Sequence, residues 1–157
     1  MLQSEVGHKR VVGMFQASIT TALQVLPQRS RFAIITTVPG FIKHLDKAVG
    51  EMLGFGDGMN SRFAGTFASG ITWEVLTKEP EATAKQKMID IVRKLVRREE
   101  VSVICLGGAI LVGMSPWVRE GCMLELGAER GAKVQILDPV LTGMTALYSL
   151  SLMRAID

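Results

Sequence analysis

The sequence is short of the residues that most often announce chemistry. It holds two cysteines, two histidines, two tryptophans and one tyrosine among 157 residues. Two cysteines far apart, with no C-x-x-C pair and no clustered histidines, give neither a disulfide framework nor a zinc site. No apolar run approaches the ~20 residues of a membrane span, and the N-terminal MLQSEVGHKR lacks the apolar centre of a secretory signal. The expectation is a protein with no metal and no membrane association, located in the cytoplasm. Aromatic residues make up 6% of the chain and the formal charge is only +3. With no RNP-like, zinc-finger or stacked-aromatic pattern, no nucleic-acid partner is expected. The one basic run, Arg93, Lys94, Arg97 and Arg98, reads as a solvated helix face. The glycine-rich stretch Gly54 to Gly58 is followed by no lysine, so it reads as a flexible connection and not as a phosphate cradle.

What is present is the composition of one globular domain, 48% hydrophobic, long enough to bury about two-thirds of its unfolded surface. Residues 8 to 27 place Val12, Phe15, Ile19, Ala22, Leu23 and Leu26 at helical spacing. The β-branched run Phe32 to Val38 suits a buried parallel strand. Pro39-Gly40 turns the chain into a helix carrying Ile42, Leu45, Val49 and Met52. A strand is predicted within Ser61 to Ser69, followed by an irregular or extended connection from Gly70 to Leu76. Thr77 is the predicted cap of a helix reaching Arg98. Val101 to Leu106 is the clearest strand. Ser115, with Pro116 at the first position, is predicted to cap a helix ending at Gly127. Lys133 to Leu137 reads as a last short strand, and Asp138-Pro139 opens a C-terminal helix. This alternation predicts an α/β fold, a short and mainly parallel sheet flanked by helices, because parallel neighbours need crossover connections.

Ligands in open α/β sheets bind beyond the carboxyl ends of strands. That rule selects Thr36 and Thr37, whose hydroxyls could meet a polar ligand, and Gly107, Gly108 and Ala109, whose backbone N–H groups could approach an anionic one. A routine strand end and a tight turn are the competing readings. Cys105, inside its apolar strand, reads as a buried inert thiol, and Cys122 as a core or groove residue. His8 and His44 read as solvated or packed. Trp73 and Trp117 read as packing anchors or pocket borders, and Asp138 as a helix cap with Val140 beside it near the cleft.

Four segments, in order, carry a resemblance: Ala22 to Leu26 (ALQVL), Arg31 to Thr37 (RFAIITT), Val103 to Ala109 (VICLGGA) and Gln135 to Val140 (QILDPV). Together they resemble the aspartate/glutamate/hydantoin racemase superfamily, especially its hydantoin and allantoin racemase branch, from about Val11 to Tyr148. The resemblance implies an isomerase that needs no cofactor and acts on the α-carbon of an amino acid, hydantoin or related small acid. It implies two related α/β lobes around a cleft. Residues of about 30–137 would form the second lobe and 138–157 a helix returning toward the first, with 1–157 a single domain.

In typical members a cysteine from each lobe acts, one as thiolate base and one as thiol acid, on opposite faces of the α-carbon. The second falls in a Leu-Gly-Cys-Ala run, matched here by Leu106-Gly107-Gly108-Ala109, so Gly108 occupies the thiol position. The first belongs to an upstream segment that would precede the first helix, and Met1 stands just before that helix, so the resemblance implies that this cysteine and the first lobe's opening strands are missing here. No catalytic residue is therefore named, while Thr36, Thr37, Gly107, Gly108 and Ala109 are the implied substrate-binding set. Two explanations stand for the missing lobe: a native start upstream of Met1, or a short protein that pairs through the surface its last helix exposes, a homo-oligomer. Three functions stand as well: a racemase-like enzyme, a non-catalytic small-molecule-binding or assembly module, and a decarboxylase or isomerase relying on one cysteine.

Overall fold

The computed structural model describes residues 11–54, 62–98 and 100–153. Four parallel strands, β1 (Arg31–Thr36), β2 (Phe63–Ala68), β3 (Val101–Leu106) and β4 (Gln135–Leu137), form one sheet in the order β2-β1-β3-β4. The helices are α1 (Met14–Val25), α2 (Ile42–Leu53), α3 (Trp73–Lys78), α4 (Glu81–Arg98), α5 (Ser115–Leu126), α6 (Ala128–Lys133) and α7 (Pro139–Leu152). The α/β class and the flanked parallel sheet are as the sequence pattern predicts.

Alternation along the strands builds two cores. Phe32 and Ile34 of β1 join Val103 and Cys105 of β3 under α1 and α2, while Ala33, Ile35, Ile104 and Leu106 face α4 and α5. Because both faces are covered, β1 and β3 read as nearly continuous apolar runs. α7 lies outside α1 as a further layer, joined to it by a hydrogen bond of 3.0 Å between the Ser18 and Thr142 hydroxyls.

Several boundaries differ from the sequence reading, each for a local reason. The first helix starts at Met14, with Gly13 extended before it; residues 8–10 of the predicted span lie outside the described residues. Val38 belongs to the turn and not to β1. Gly70 to Leu76 is not wholly irregular, since Thr72 caps α3 by accepting from the Val75 N–H. Thr77 caps nothing and donates to the Trp73 carbonyl; α4 begins after Pro80, whose ring and missing N–H break the helix there. Ser115 is the first residue of α5 and not its cap, which is Met114. Lys133 and Val134 precede β4, because residues 128–133 wind into the short α6.

α6 is clamped by Arg119, whose Nη1 donates to the carbonyls of Gly131, Ala132 and Val134 at 2.7, 2.9 and 2.6 Å. Those carbonyls lie at a helix C-terminus, where a guanidinium is favoured. Gly131 lets the two backbones meet, since a Cβ there would lie 2.5 Å from the Met123 Cα.

Part of the basic run does more than solvate a helix. Arg93 and Arg97 both reach Glu125, the latter through two hydrogen bonds of 2.7 and 3.0 Å, and tie α4 to α5. Hydrogen bonds from Arg97 and then Arg93 hold the Glu125 carboxyl down, from 4.5 to about 2. A carboxyl lowered on folding stabilises the fold above its ordinary pKa and loses that contribution as pH falls from 4.5 toward 2. The denaturation midpoint of Glu125→Gln should thus lie below the parent's by a constant gap at pH 6–7. The gap should close as the buffer is taken down through the carboxylate range; a gap independent of pH would refute the assignment.

Candidate active-site cavity

The carboxyl ends of β1 and β3 open onto a cavity of about 220 Å³ between α1 and the loop after β3. Its walls are Met14, Phe15, Ser18 and Ile19 of α1, Ile34, Leu45 of α2, Cys105 and Leu106, the chain from Gly107 to Ala109, and Pro139. No charged side chain is among them. A larger crevice, about 440 Å³, opens at the amino ends of the strands around Ser30, Glu100 and Arg97. We take the smaller cavity as the candidate site because it sits where open parallel sheets bind ligands, and because Arg97 is already committed to Glu125.

Gly107 and Gly108 differ in why they are glycine. The Gly107 N–H extends the ladder by donating to the Ile35 carbonyl at 2.7 Å. A Cβ on Gly107 would lie 2.5 Å from Ile34 Cγ2 and 3.3 Å from that carbonyl oxygen, so the close approach of β1 requires glycine. Gly108 has φ −158° and ψ 137°, a conformation open to any residue. Its Cβ would meet Thr37 Cγ2 at 3.4 Å, an ordinary contact. The fold therefore accommodates a cysteine at the position the family resemblance assigns to the thiol. The N–H groups of Gly108 and Ala109 have no acceptor among the described residues.

Of the sequence-selected residues, Gly107, Gly108 and Ala109 line the cavity, and Thr36 and Thr37 do not. Thr36 is buried, and its carbonyl accepts from the Ser69 N–H and hydroxyl at 2.8 and 3.0 Å. The Thr37 carbonyl accepts from Gly70. These two residues hold the segment after β2, and Thr37 reaches the site only as the neighbour of Gly108.

Asp138 stands just outside the cavity. Its carboxylate accepts from Val140 and Leu141 at 2.9 and 3.1 Å, capping α7, and from Gly113 at 3.4 Å. It thereby ties the loop after β3 to the helix that contributes Pro139.

Cys105 reaches the cavity floor with its Sγ donating to the Ser18 carbonyl at 3.9 Å. Burial pushes this thiol up to about 12. Cys122 lies in the other core, pushed up to about 11 by burial, with Arg119 opposing. Neither is a thiolate near neutral pH. His44 is exposed and bonds the Gly40 carbonyl, and Trp73 is 67% exposed at the start of α3. Among the described residues, no three His, Cys, Asp or Glu side chains form a metal cluster, and no helix is long and apolar enough to cross a membrane.

The contribution of α1 escaped the sequence reading. Phe15 and Ile19 read as core, and Ser18 fell between them. Only Ser18's place opposite Cys105 and Thr142 makes it a cavity residue. Thr142 donates to the carbonyls of Asp138 and Pro139, so the shared hydrogen between the two hydroxyls belongs to Ser18.

A family model described as Asp/Glu/Hydantoin racemase matches residues 1–147. The chain belongs to this family. Among solved structures, allantoin racemase from Klebsiella pneumoniae is similar in fold, with a TM-score of 0.64 at 20% identity. The match covers 91% of this chain and 51% of that one, so this racemase-family chain spans about half the length of its structural relative. No curated protein matches the sequence.

Proposed function

We propose that the cavity is the ligand-binding part of a racemase-type site, and that this chain's own described residues supply binding without proton transfer. The observation carrying this reading is the cavity's chemistry. Racemisation needs a base and an acid at the α-carbon, yet among the described residues that line the cavity the one ionisable group is a thiol pushed up to about 12. The position expected to carry the active thiol is Gly108.

The walls also point to the ligand. An apolar cavity of about 220 Å³ suits a small molecule, and its lack of countercharge disfavours the side-chain carboxylate of aspartate or glutamate. A hydantoin or amino-acid amide with an apolar substituent fits better. The N–H groups of Gly108 and Ala109 would donate to its carbonyl, and Ser18 Oγ keeps lone pairs for an N–H. Thr36 and Thr37 would act by shaping the edge beside Gly108. In this reading residues 30–137 form the racemase lobe.

The test is saturation-transfer NMR alongside α-proton exchange in deuterated water, using an enantiopure 5-alkyl hydantoin. Binding with no exchange above the buffer control is expected. Exchange that survives Cys105→Ala and Cys122→Ala would establish catalysis by another base and overturn the proposal, as would absence of binding.

A further inference from the structure

The loop from Gly107 to Met114 brings the Gly108 and Ala109 N–H groups to the cavity, and it is tied at both ends. At the first, the Gly107 N–H donates to the Ile35 carbonyl at 2.7 Å. Inside the loop the Gly108 carbonyl accepts from the N–H of the fully buried Leu111 at 2.9 Å. A trans peptide sets its C=O and N–H on opposite sides, so that bond turns the Ala109 N–H away from Leu111. At the second end Gly113 bends the chain at φ 84°, a left-handed conformation that suits glycine. Its N–H donates to Asp138 Oδ2 at 3.4 Å.

Asp138 divides its two oxygens between two elements. Oδ1 accepts from Val140 and Leu141 and caps α7, while Oδ2 takes the Gly113 N–H. Capping needs only one oxygen, which Asn or Ser supplies about as well. A carboxylate that is 9% exposed is costly to bury unless both oxygens are bonded, and the second oxygen's partner is the loop. Pro139, next in the chain, forms a wall of the cavity, as do Gly108 and Ala109.

We propose that Asp138 is the positioning residue of this site: through Oδ2 it holds the loop against α7 and fixes the Gly108 and Ala109 N–H groups across the cavity from Pro139. It touches no ligand itself. Donors held in place before a ligand arrives need no ordering when it binds. The effect on a ligand rests on the reading of the cavity as a binding site; the closing of the cavity does not. Cys105 reports that closing, since its thiol lies on the cavity floor and is 2% exposed. Cys122, buried in the other core, is an internal control.

Asp138→Asn isolates the second oxygen. An amide keeps one acceptor for Val140 and Leu141 and sets an NH2 donor against the Gly113 N–H. Asp138→Ser keeps a capping oxygen and removes the tie without adding a donor. In both variants hydrogen exchange at Val140 and Leu141 should match the parent. Cys105 should react with a disulfide reagent about tenfold faster relative to Cys122, and the dissociation constant for the 5-alkyl hydantoin should rise about tenfold. Unchanged Cys105 reactivity, or unchanged affinity for a hydantoin that the parent binds, would overturn the inference. So would exchange at Val140 and Leu141 that rises in step with the thiol rate, the mark of a lost cap. A parent that binds no hydantoin, with variants that expose Cys105, would overturn the ligand reading alone and uphold the tie.

Discussion

Gly107→Ala should lower the unfolding free energy by about 1–3 kcal/mol, while Gly108→Cys should fold within about 0.5 kcal/mol of the parent. The two residues are adjacent, and composition alone offers no reason to separate them. Geometry does. A methyl on Gly107 would press within 2.5 Å of Ile34 Cγ2 and within 3.3 Å of the Ile35 carbonyl oxygen. Cγ2 is a branch at the Cβ of a strand residue and not the end of a flexible chain, so the strand backbone would have to shift even though Ile34 borders the cavity. Moving the Gly107 backbone instead would lengthen its bond to the Ile35 carbonyl. At Gly108 the backbone is extended and the nearest atom is the Thr37 methyl at contact distance. Guanidinium denaturation of both variants makes the comparison, and equal losses would show that the two positions are packed alike. The second variant has a chemical readout as well. Cys105 and Cys122 are both buried, so the folded parent should react slowly with a disulfide reagent. Gly108→Cys should add one fast-reacting thiol per chain, at the place where the family resemblance puts its catalytic one. A new thiol as slow as the buried pair would mean that position 108 does not face the cavity.

Phe32→Ala should be more costly, about 3–5 kcal/mol. Phe32 is fully buried on the central strand, under the core formed with Ile19, Val49 and Val103. Its ring lies 5.0 Å from that of Phe63 on the neighbouring strand. Truncation leaves a void that β-strands on both sides cannot close without breaking ladder hydrogen bonds. Phe32→Leu should cost less than half as much, because most of the volume remains. The measurement is a denaturation midpoint at unchanged slope. A small effect from Phe32→Ala would mean that α1 and α2 collapse onto the gap.

The strands and long helices were legible because each carries a periodicity of its own. β1 and β3 are β-branched apolar runs bounded by turns, and α4 has a charged face opposite Met88, Val92 and Leu95. The short helices α3 and α6 were not legible. Six residues span under two turns, too few for a stripe to emerge, and what stabilises them is Thr72 in one case and the reach of Arg119 from α5 in the other. The glycine loop of the candidate site was legible from the strand that feeds it. The α1 wall was not, since a residue facing a cavity and one facing a core have the same helical spacing.

The sequence by itself determined the α/β class, the parallel sheet, the family and the glycine at position 108, because these depend on local period, residue order and identity. Only the tertiary structure decided that Gly107 is obligatory and Gly108 is not. It alone placed Ser18 and Cys105 on one cavity, kept Thr36 and Thr37 out of it, and set Asp138 against Gly113. Each of those facts concerns the distance between segments far apart in the chain, which packing sets and no local pattern encodes.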